Sequence, residues 1–158
     1  MDVSKIIFRE MTKEDVPEVA RHEHELFTDP WPESIFLEDI ASPYSHPVVA
    51  QIDNEIVGYA VIWIGVEEGH LTNLGVARKF QRKSIAKKLL AFILQLAEEM
   101  GLAQIILEVR PSNAPAVLLY EAFGFEKLAV RKNYYRRPVE DCLVMRKKLN
   151  RSLPEMTE

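Results

Sequence analysis

The chain of 158 residues has a single cysteine, Cys142. One thiol excludes an internal disulfide and fits a reducing compartment. No apolar run is long enough to span a membrane. The opening residues, MDVSKIIFREM, lack the long apolar core of a signal peptide. A cytoplasmic protein is therefore expected, with no membrane partner. Internal repeats and linkers are also missing, so one domain over residues 1–150 is expected, followed by a short disordered tail, 151–158. Histidines number only four. His22 and His24 are two apart on a predicted helix and face different ways, while His46 and His70 are isolated, so no metal site is expected.

What is present is ordinary in amount and uneven in placement. Hydrophobic residues make up 47% and charged residues 28%, as in a typical globular chain. The net charge of −4 hides an asymmetry. Residues 1–70 carry 4 Lys+Arg against 15 Asp+Glu, a balance of −11; residues 71–158 carry 16 against 9, a balance of +7. A basic half suits a phosphorylated ligand and an acidic half a basic partner, unless folding intermixes the two.

The densest signal is LTNLGVARKFQRKSIAKKLL, Leu71 to Leu90. An apolar strand, Leu71 to Val76, runs into a charged connector, and a helix follows from about Ser84 to Met100. Six cations, Arg78, Lys79, Arg82, Lys83, Lys87 and Lys88, gather at the helix start. Cations are normally disfavoured at the positive end of a helix dipole. Together with the free N–H groups there, they suit an anion, most naturally a phosphate. The competing reading is a solvated lysine-rich helix start. Gly101 is a natural end for this helix, and Ile85, Leu89, Phe92, Ile93, Leu96, Ala97 and Met100 recur near a 3.6 period, as a core face does.

Upstream, Ile6 to Met11 reads as an edge strand, and Thr12 with Asp15 resembles a capping box before a helix to about Phe27. TDPWPES then holds out Trp31 on a proline-stiffened loop, and a short helix, Glu33 to Ile40, carries Phe36. Trp31 and Phe36 read equally as core plugs or as walls of a substrate groove. Ser42 to Pro47 reads as a loop. Val48–Ile52 and Ile56–Val66 read as a hairpin around Asp53-Asn54-Glu55, the second strand apolar enough to be buried on both faces. Glu67-Glu68-Gly69 reads as the turn into the Leu71 strand. Downstream, a strand Ala103–Val109 is followed by Pro111-Ser112, Asn113 as the cap of a helix Ala114–Ala122, and Gly124. Two last strands span about Phe125–Tyr134 and Asp141–Leu149. The expected fold is α/β, a single mixed, mostly antiparallel central sheet of about seven strands with helices on both sides.

Chemistry concentrates in one strand–turn–helix unit. Glu108 lies near the end of the apolar strand IILEV, where a carboxylate is either paired or functional, and Arg110 is the candidate structural partner. Asn113 and Tyr120 follow on the next helix. Cys142 alternates with Val144 in a late strand and has no histidine nearby in sequence, so a buried inert thiol is expected rather than a nucleophile.

The segments LTNLGVA, QRKSIAKKLL, LEVRPSNAPAVLLYEAFGF and RKNYYRRPVEDCLVM resemble a Gcn5-related N-acetyltransferase (GNAT), and more narrowly its RimI-type, ribosomal-protein-alanine branch. The likeness covers nearly the whole chain. It implies acetyl-CoA as co-substrate, direct transfer to an N-terminal amine, and a basic ribosomal protein as partner. Leu74, Gly75 and Val76 resemble the bulged strand that pairs with pantetheine. Arg82, Lys83, Ser84, Ile85, Ala86 and Lys87 correspond to the pyrophosphate loop, and Asn113 to a cofactor contact. Glu108 resembles the general base and Tyr120 the general acid. Trp31, Phe36, Tyr134 and Tyr135 would flank the acceptor groove. Broader protein N-terminal, lysine or small-amine acceptors, or a non-catalytic CoA-binding module, are the alternatives. Direct nucleic-acid binding is not expected of an acidic chain.

Ser84 departs from the pattern, which has glycine there. Its Cβ would crowd a phosphate, or its hydroxyl would donate a hydrogen bond at a helix start. Gly75 within a strand signals a bulge or a close backbone contact.

Overall fold

A computed structural model describes residues 2–150. The expected tail, 151–158, lies outside the described residues. Seven strands are present: β1 (Ile7–Glu10), β2 (Ser45–Ile52), β3 (Glu55–Ile64), β4 (Glu68–Val76), β5 (Gln104–Val109), β6 (Glu126–Arg136) and β7 (Val139–Lys148). The α-helices are α1 (Val16–Leu26), α2 (Glu33–Ala41), α3 (Ile85–Glu99) and α4 (Ala114–Ala122). The strands form one mixed sheet in the order β1-β2-β3-β4-β5-β7-β6. β4 and β5 pair in parallel from Glu68↔Gln104 to Leu71↔Leu107; the β1–β2, β2–β3, β5–β7 and β6–β7 ladders are antiparallel. No helix among the described residues is long and apolar enough to cross a membrane.

The chain divides into two compact units, Met1–Trp63 with Thr72–Ile93, and Ile64–Leu71 with Leu94–Glu158. In the first, Met11, Val16, Val19, Phe36, Val49, Ile56, Tyr59 and Val61 form a buried cluster. Each large apolar side chain buried this way contributes about 1.5–3 kcal/mol. β3 is buried continuously from Ile56 to Ile62, as its unbroken apolar run requires. Phe8 stacks on Phe92 with ring centres 4.8 Å apart. In the second unit, Ile105, Leu107, Val109, Leu143, Val144 and Met145 are buried from β5 and β7, as are Tyr120 in α4 and Phe125 just after it.

Several boundaries differ from the sequence reading. β2 starts at Ser45, not Val48, and runs through Pro47. The carbonyl of Pro47 accepts from Met11, just past the end of β1, and a strand residue's N–H points to the same side as its carbonyl. The missing donor therefore falls where β1 has already ended. β4 starts at Glu68, because the turn lies earlier and is closed by the Gly65 N–H on the Glu68 carbonyl. The capping box of Thr12 and Asp15 opens a 3-10 turn that leads into α1. α3 ends as expected, with Gly101 at φ 76° and the Leu102 N–H reaching back to the Ala97 carbonyl, a left-handed helix end. Met100, expected on the core face, is exposed.

Candidate active site

In the first unit the outer half of β4 leads through a 3-10 turn, Arg78–Phe80, into the loop before α3. Gly75 is there because nothing larger fits. A Cβ at Gly75 would lie 2.5 Å from the Tyr59 ring and hydroxyl, so the close approach is to a side chain of β3 rather than to backbone. Gln81 turns back to donate to the Val76 carbonyl at 3.2 Å. Arg82 and Ser84 both adopt left-handed backbone, φ 64° and 65°. The Ser84 carbonyl accepts the Lys88 N–H, so helical bonding begins at Ser84. A helix start of this kind leaves its first N–H groups without intrahelical partners. Of the six cations, two are engaged: Arg78 donates to the Glu25 carbonyl and Lys79 pairs with Glu55. Arg82, Lys83, Lys87 and Lys88 are exposed and have no ion-pair partner among the described residues. Free N–H groups and uncommitted cations on one loop fit a pyrophosphate.

The Trp31 loop belongs to the same unit. The Trp31 N–H donates to Glu23 Oε2 at 3.0 Å, and its ring packs on Phe36 at 5.3 Å between centres. Phe36 is fully buried and meets Tyr59 edge-on at 6.0 Å. Burial matches the core position for Phe36; Trp31 stays partly exposed in front of it.

The second unit carries Glu108 near the end of β5. Glu108 lies opposite Val144 in the β5–β7 ladder, so Cys142, two residues along, shares its face. The Cys142 thiol donates to Glu108 Oε2 at 3.5 Å, and Arg131 Nε is 3.8 Å from the same oxygen. Glu108 itself is open to solvent. Its negative charge and a hydrogen bond to it push the Tyr134 phenol up. Burial is the main cause that raises the Tyr135 phenol and the Cys142 thiol, with Glu108 adding to both. Tyr134 and Tyr135 meet edge-on at 5.2 Å.

Arg110 is not the partner of Glu108. Its guanidinium stacks 4.2 Å over Tyr135, donates to the Pro138 and Arg137 carbonyls at 2.8 and 3.0 Å, and pairs with Glu140 at 3.4 Å. Glu140 in turn accepts from the Ser112 N–H and hydroxyl at 2.7 and 2.8 Å. The β5–α4 turn is thereby clasped to the tip of the β6–β7 hairpin. Asn113 caps α4 as expected, its side chain accepting from Ala116 at 3.3 Å. Tyr120, 8% exposed, packs on Phe125, and burial pushes its phenol up to about 12.

Sequence reasoning missed the neighbours of these residues. Glu23 is the clearest case: it falls four residues after Val19, on the inward stripe of α1, and a charge on an apolar stripe was the available signal. Asn73, Tyr59 and Glu140, which meet their partners across long sequence separations, gave no local sign. No group of three or more metal-ligating side chains occurs among the described residues.

The chain belongs to the acetyltransferase (GNAT) family, whose family model matches residues 16–125, and it is an N-acetyltransferase. Members of that family use acetyl-CoA. A Bacillus subtilis protein provisionally named as a ribosomal protein bS18-alanine N-acetyltransferase is 35% identical over 143 residues, 90% of this chain and 95% of its own. The Mycobacterium tuberculosis N-alpha-acetyltransferase RimI is 33% identical over 92% of this chain and 94% of its own. The solved ribosomal-protein-S18-alanine N-acetyltransferase from Escherichia coli superposes with a TM-score of 0.88 at 25% identity, covering 97% of this chain and 99% of that one.

Proposed function

We propose that the chain acetylates the α-amino group of a protein N-terminus, and that its acceptor is the N-terminal alanine of a ribosomal protein of the bS18 type. The observation that carries this reading is Glu108, a solvent-open carboxylate flanked by the Tyr134 phenol and the Cys142 thiol. Such a carboxylate can take a proton from an incoming ammonium, directly or through one water. The demand is modest for an α-amino group, with a pKa near 8 and roughly a tenth neutral at pH 7; a lysine amine near 10.4 is under about a thousandth neutral. The names of the relatives support the same acceptor.

Acetyl-CoA supplies the activated acyl group as a thioester. Leu74, Gly75 and Val76 on β4 would hold its pantetheine arm, the loop from Arg82 to Lys87 its pyrophosphate, and Asn113 would add a contact. Tyr120, with its phenol pushed up to about 12, keeps its proton at neutral pH and serves as donor to the departing sulfur. Trp31, backed by Phe36, would contact the acceptor, and so would Tyr134 and Tyr135. Much of the rate comes from holding both reactants in place. The acidic first 70 residues, at −11, suit a basic protein tail.

The test is turnover of acetyl-CoA with an alanine-starting bS18 peptide beside an N-terminally blocked peptide carrying lysine. Rapid turnover of the first and little of the second is expected, with Glu108→Gln lowering kcat about a hundredfold. Preference for the lysine peptide, or full activity of Glu108→Gln at saturation, overturns the reading.

A further inference from the structure

We infer that Glu23 is a positioning residue that ties the Trp31 loop to β4, so that the acceptor wall and the acyl-binding strand are set by one buried carboxylate. Glu23 is 2% exposed, in the last turns of α1. Its two oxygens accept three hydrogen bonds from three separate elements. Oε2 takes the Trp31 backbone N–H at 3.0 Å; Oε1 takes the Tyr59 hydroxyl at 2.7 Å and the Asn73 amide at 2.9 Å. All three donors are neutral.

A buried ion held only by neutral donors is expensive unless each oxygen is well satisfied. The arrangement therefore favours one geometry for all three donors at once. Each donor matters for position. Trp31 sits between two prolines, and its N–H is anchored directly to Glu23. Asn73 immediately precedes Leu74, Gly75 and Val76. Tyr59 fills the space that a Gly75 Cβ would occupy, so its hydroxyl bond to Glu23 also fixes the ring against β4. Aromatic contacts run the same way, from Trp31 through Phe36 to Tyr59. Glu23 touches neither substrate nor reacting atoms in this role, which rests on the reading of Trp31 as acceptor wall and of β4 as the acyl strand.

The experiment uses the full chain, an alanine-starting peptide and acetyl-CoA. Glu23→Ala leaves three donors unpaired, the buried Tyr59 hydroxyl among them; its expected effect is a rise of about tenfold in peptide KM, with faster hydrogen exchange at the Trp31 amide. Glu23→Gln restores KM to within about threefold, since its oxygen can take the Trp31 N–H while Tyr59 and Asn73 turn to accept from its NH2. Tyr59→Phe removes one buried hydroxyl and nothing that substrate can reach, and gives a smaller rise of about threefold. It decides the matter if Glu23→Ala does not fold. A merely structural role would lower Tm and scale kcat with the folded fraction, leaving KM in place. Wild-type KM and Trp31 exchange in folded Glu23→Ala, or in Tyr59→Phe when Glu23→Ala does not fold, overturn the inference. Trp31→Ala is the separate control: unchanged peptide KM there removes the acceptor-wall reading, and the role of Glu23 with it.

Discussion

Cys142 donates its thiol to Glu108 across the β5–β7 ladder, at 3.5 Å. The contact decides what kind of cysteine this is. The thiol is fully buried, and both burial and the negative charge of Glu108 raise its pKa above the ordinary thiol value. A nucleophilic cysteine needs the opposite, an accessible and electropositive setting. We therefore expect Cys142→Ala to keep kcat within about threefold, since it removes only weak thiol hydrogen bonds and leaves the Glu108 carboxylate in place. Intact-mass spectrometry after mixing with acetyl-CoA alone should show no acetyl adduct on the chain. In the folded wild type, alkylation by iodoacetamide at pH 7 should be at least about a hundredfold slower than for free cysteine, accelerating only at alkaline pH. A burst of acetylated Cys142 would sink this account.

Ser84 is strained where glycine would not be. At φ 65° it lies in the left-handed region, where a Cβ costs roughly 1–2 kcal/mol. Its backbone is also not the extended conformation of an ordinary serine helix cap. Ser84→Gly is expected to gain about 1 kcal/mol less the added entropy of the unfolded chain, a Tm rise of a few degrees. Acetyl-CoA should bind at least as tightly, measured calorimetrically. Ser84→Ala, which keeps the Cβ, should give no rise. A lower Tm for the glycine variant would show instead that the serine hydroxyl is stabilising the loop.

The Arg110–Glu140 clasp predicts a pH-dependent hairpin. The Ser112 hydroxyl and N–H, then Arg110, hold the Glu140 carboxyl below its usual range. A lowered carboxyl contributes stability that is present above the unfolded-state value, near 4.3, and is lost as pH falls through the folded-state value. Hydrogen exchange in the Tyr134–Glu140 segment should therefore speed up below about pH 4.5 in the wild type. Glu140→Gln should show that faster exchange already at pH 7, with a flatter acid dependence. Arg110→Lys keeps the charge but loses the forked donation to two carbonyls and the stacking on Tyr135, so it should behave like Glu140→Gln rather than like wild type.

Element type was legible because the local signals agreed with the fold. α4 needed only Asn113 before it and Gly124 after it, and it runs Ala114–Ala122 as the sequence suggests. β3 was readable from its unbroken apolar run. Strand ends were less so, because pairing extends them: β4 gains Glu68 to His70 from its parallel ladder with β5, against the turn propensity of Glu67-Glu68-Gly69. In the candidate site, the residue types were visible but their partners were not. Arg110, two residues from Glu108, was the natural guess for an ion pair; the observed contacts come from Cys142, Arg131 and Tyr134, which only the register of β7 and β6 brings round. The strain at Ser84 is a backbone property, and no single sequence displays it except as a missing glycine.

Tyr120 gives a prediction at the alkaline end. Its phenol, pushed up to about 12 by burial, stays protonated in the folded enzyme well past the ordinary value near 10. Between about pH 10 and 12 the folded state holds a proton that the unfolded state has lost, so stability is complete below pH 10 and falls as pH rises through that window. Two pH units correspond to about 2.7 kcal/mol at most. Burial likewise raises Tyr59 and Tyr135, so the wild type should lose stability steeply above pH 10 and Tyr120→Phe less steeply. Kinetically, kcat should show no basic limb from Tyr120 up to pH 10. Tyr120→Phe should lower kcat about ten- to a hundredfold, the low end for general acid catalysis because a thiolate leaves readily. Urea melts across pH 8–11 and pH–rate profiles on both proteins measure the two effects separately. An unchanged kcat in the phenylalanine variant with the shallower alkaline melt would leave Tyr120 as a core residue and move the proton donor elsewhere.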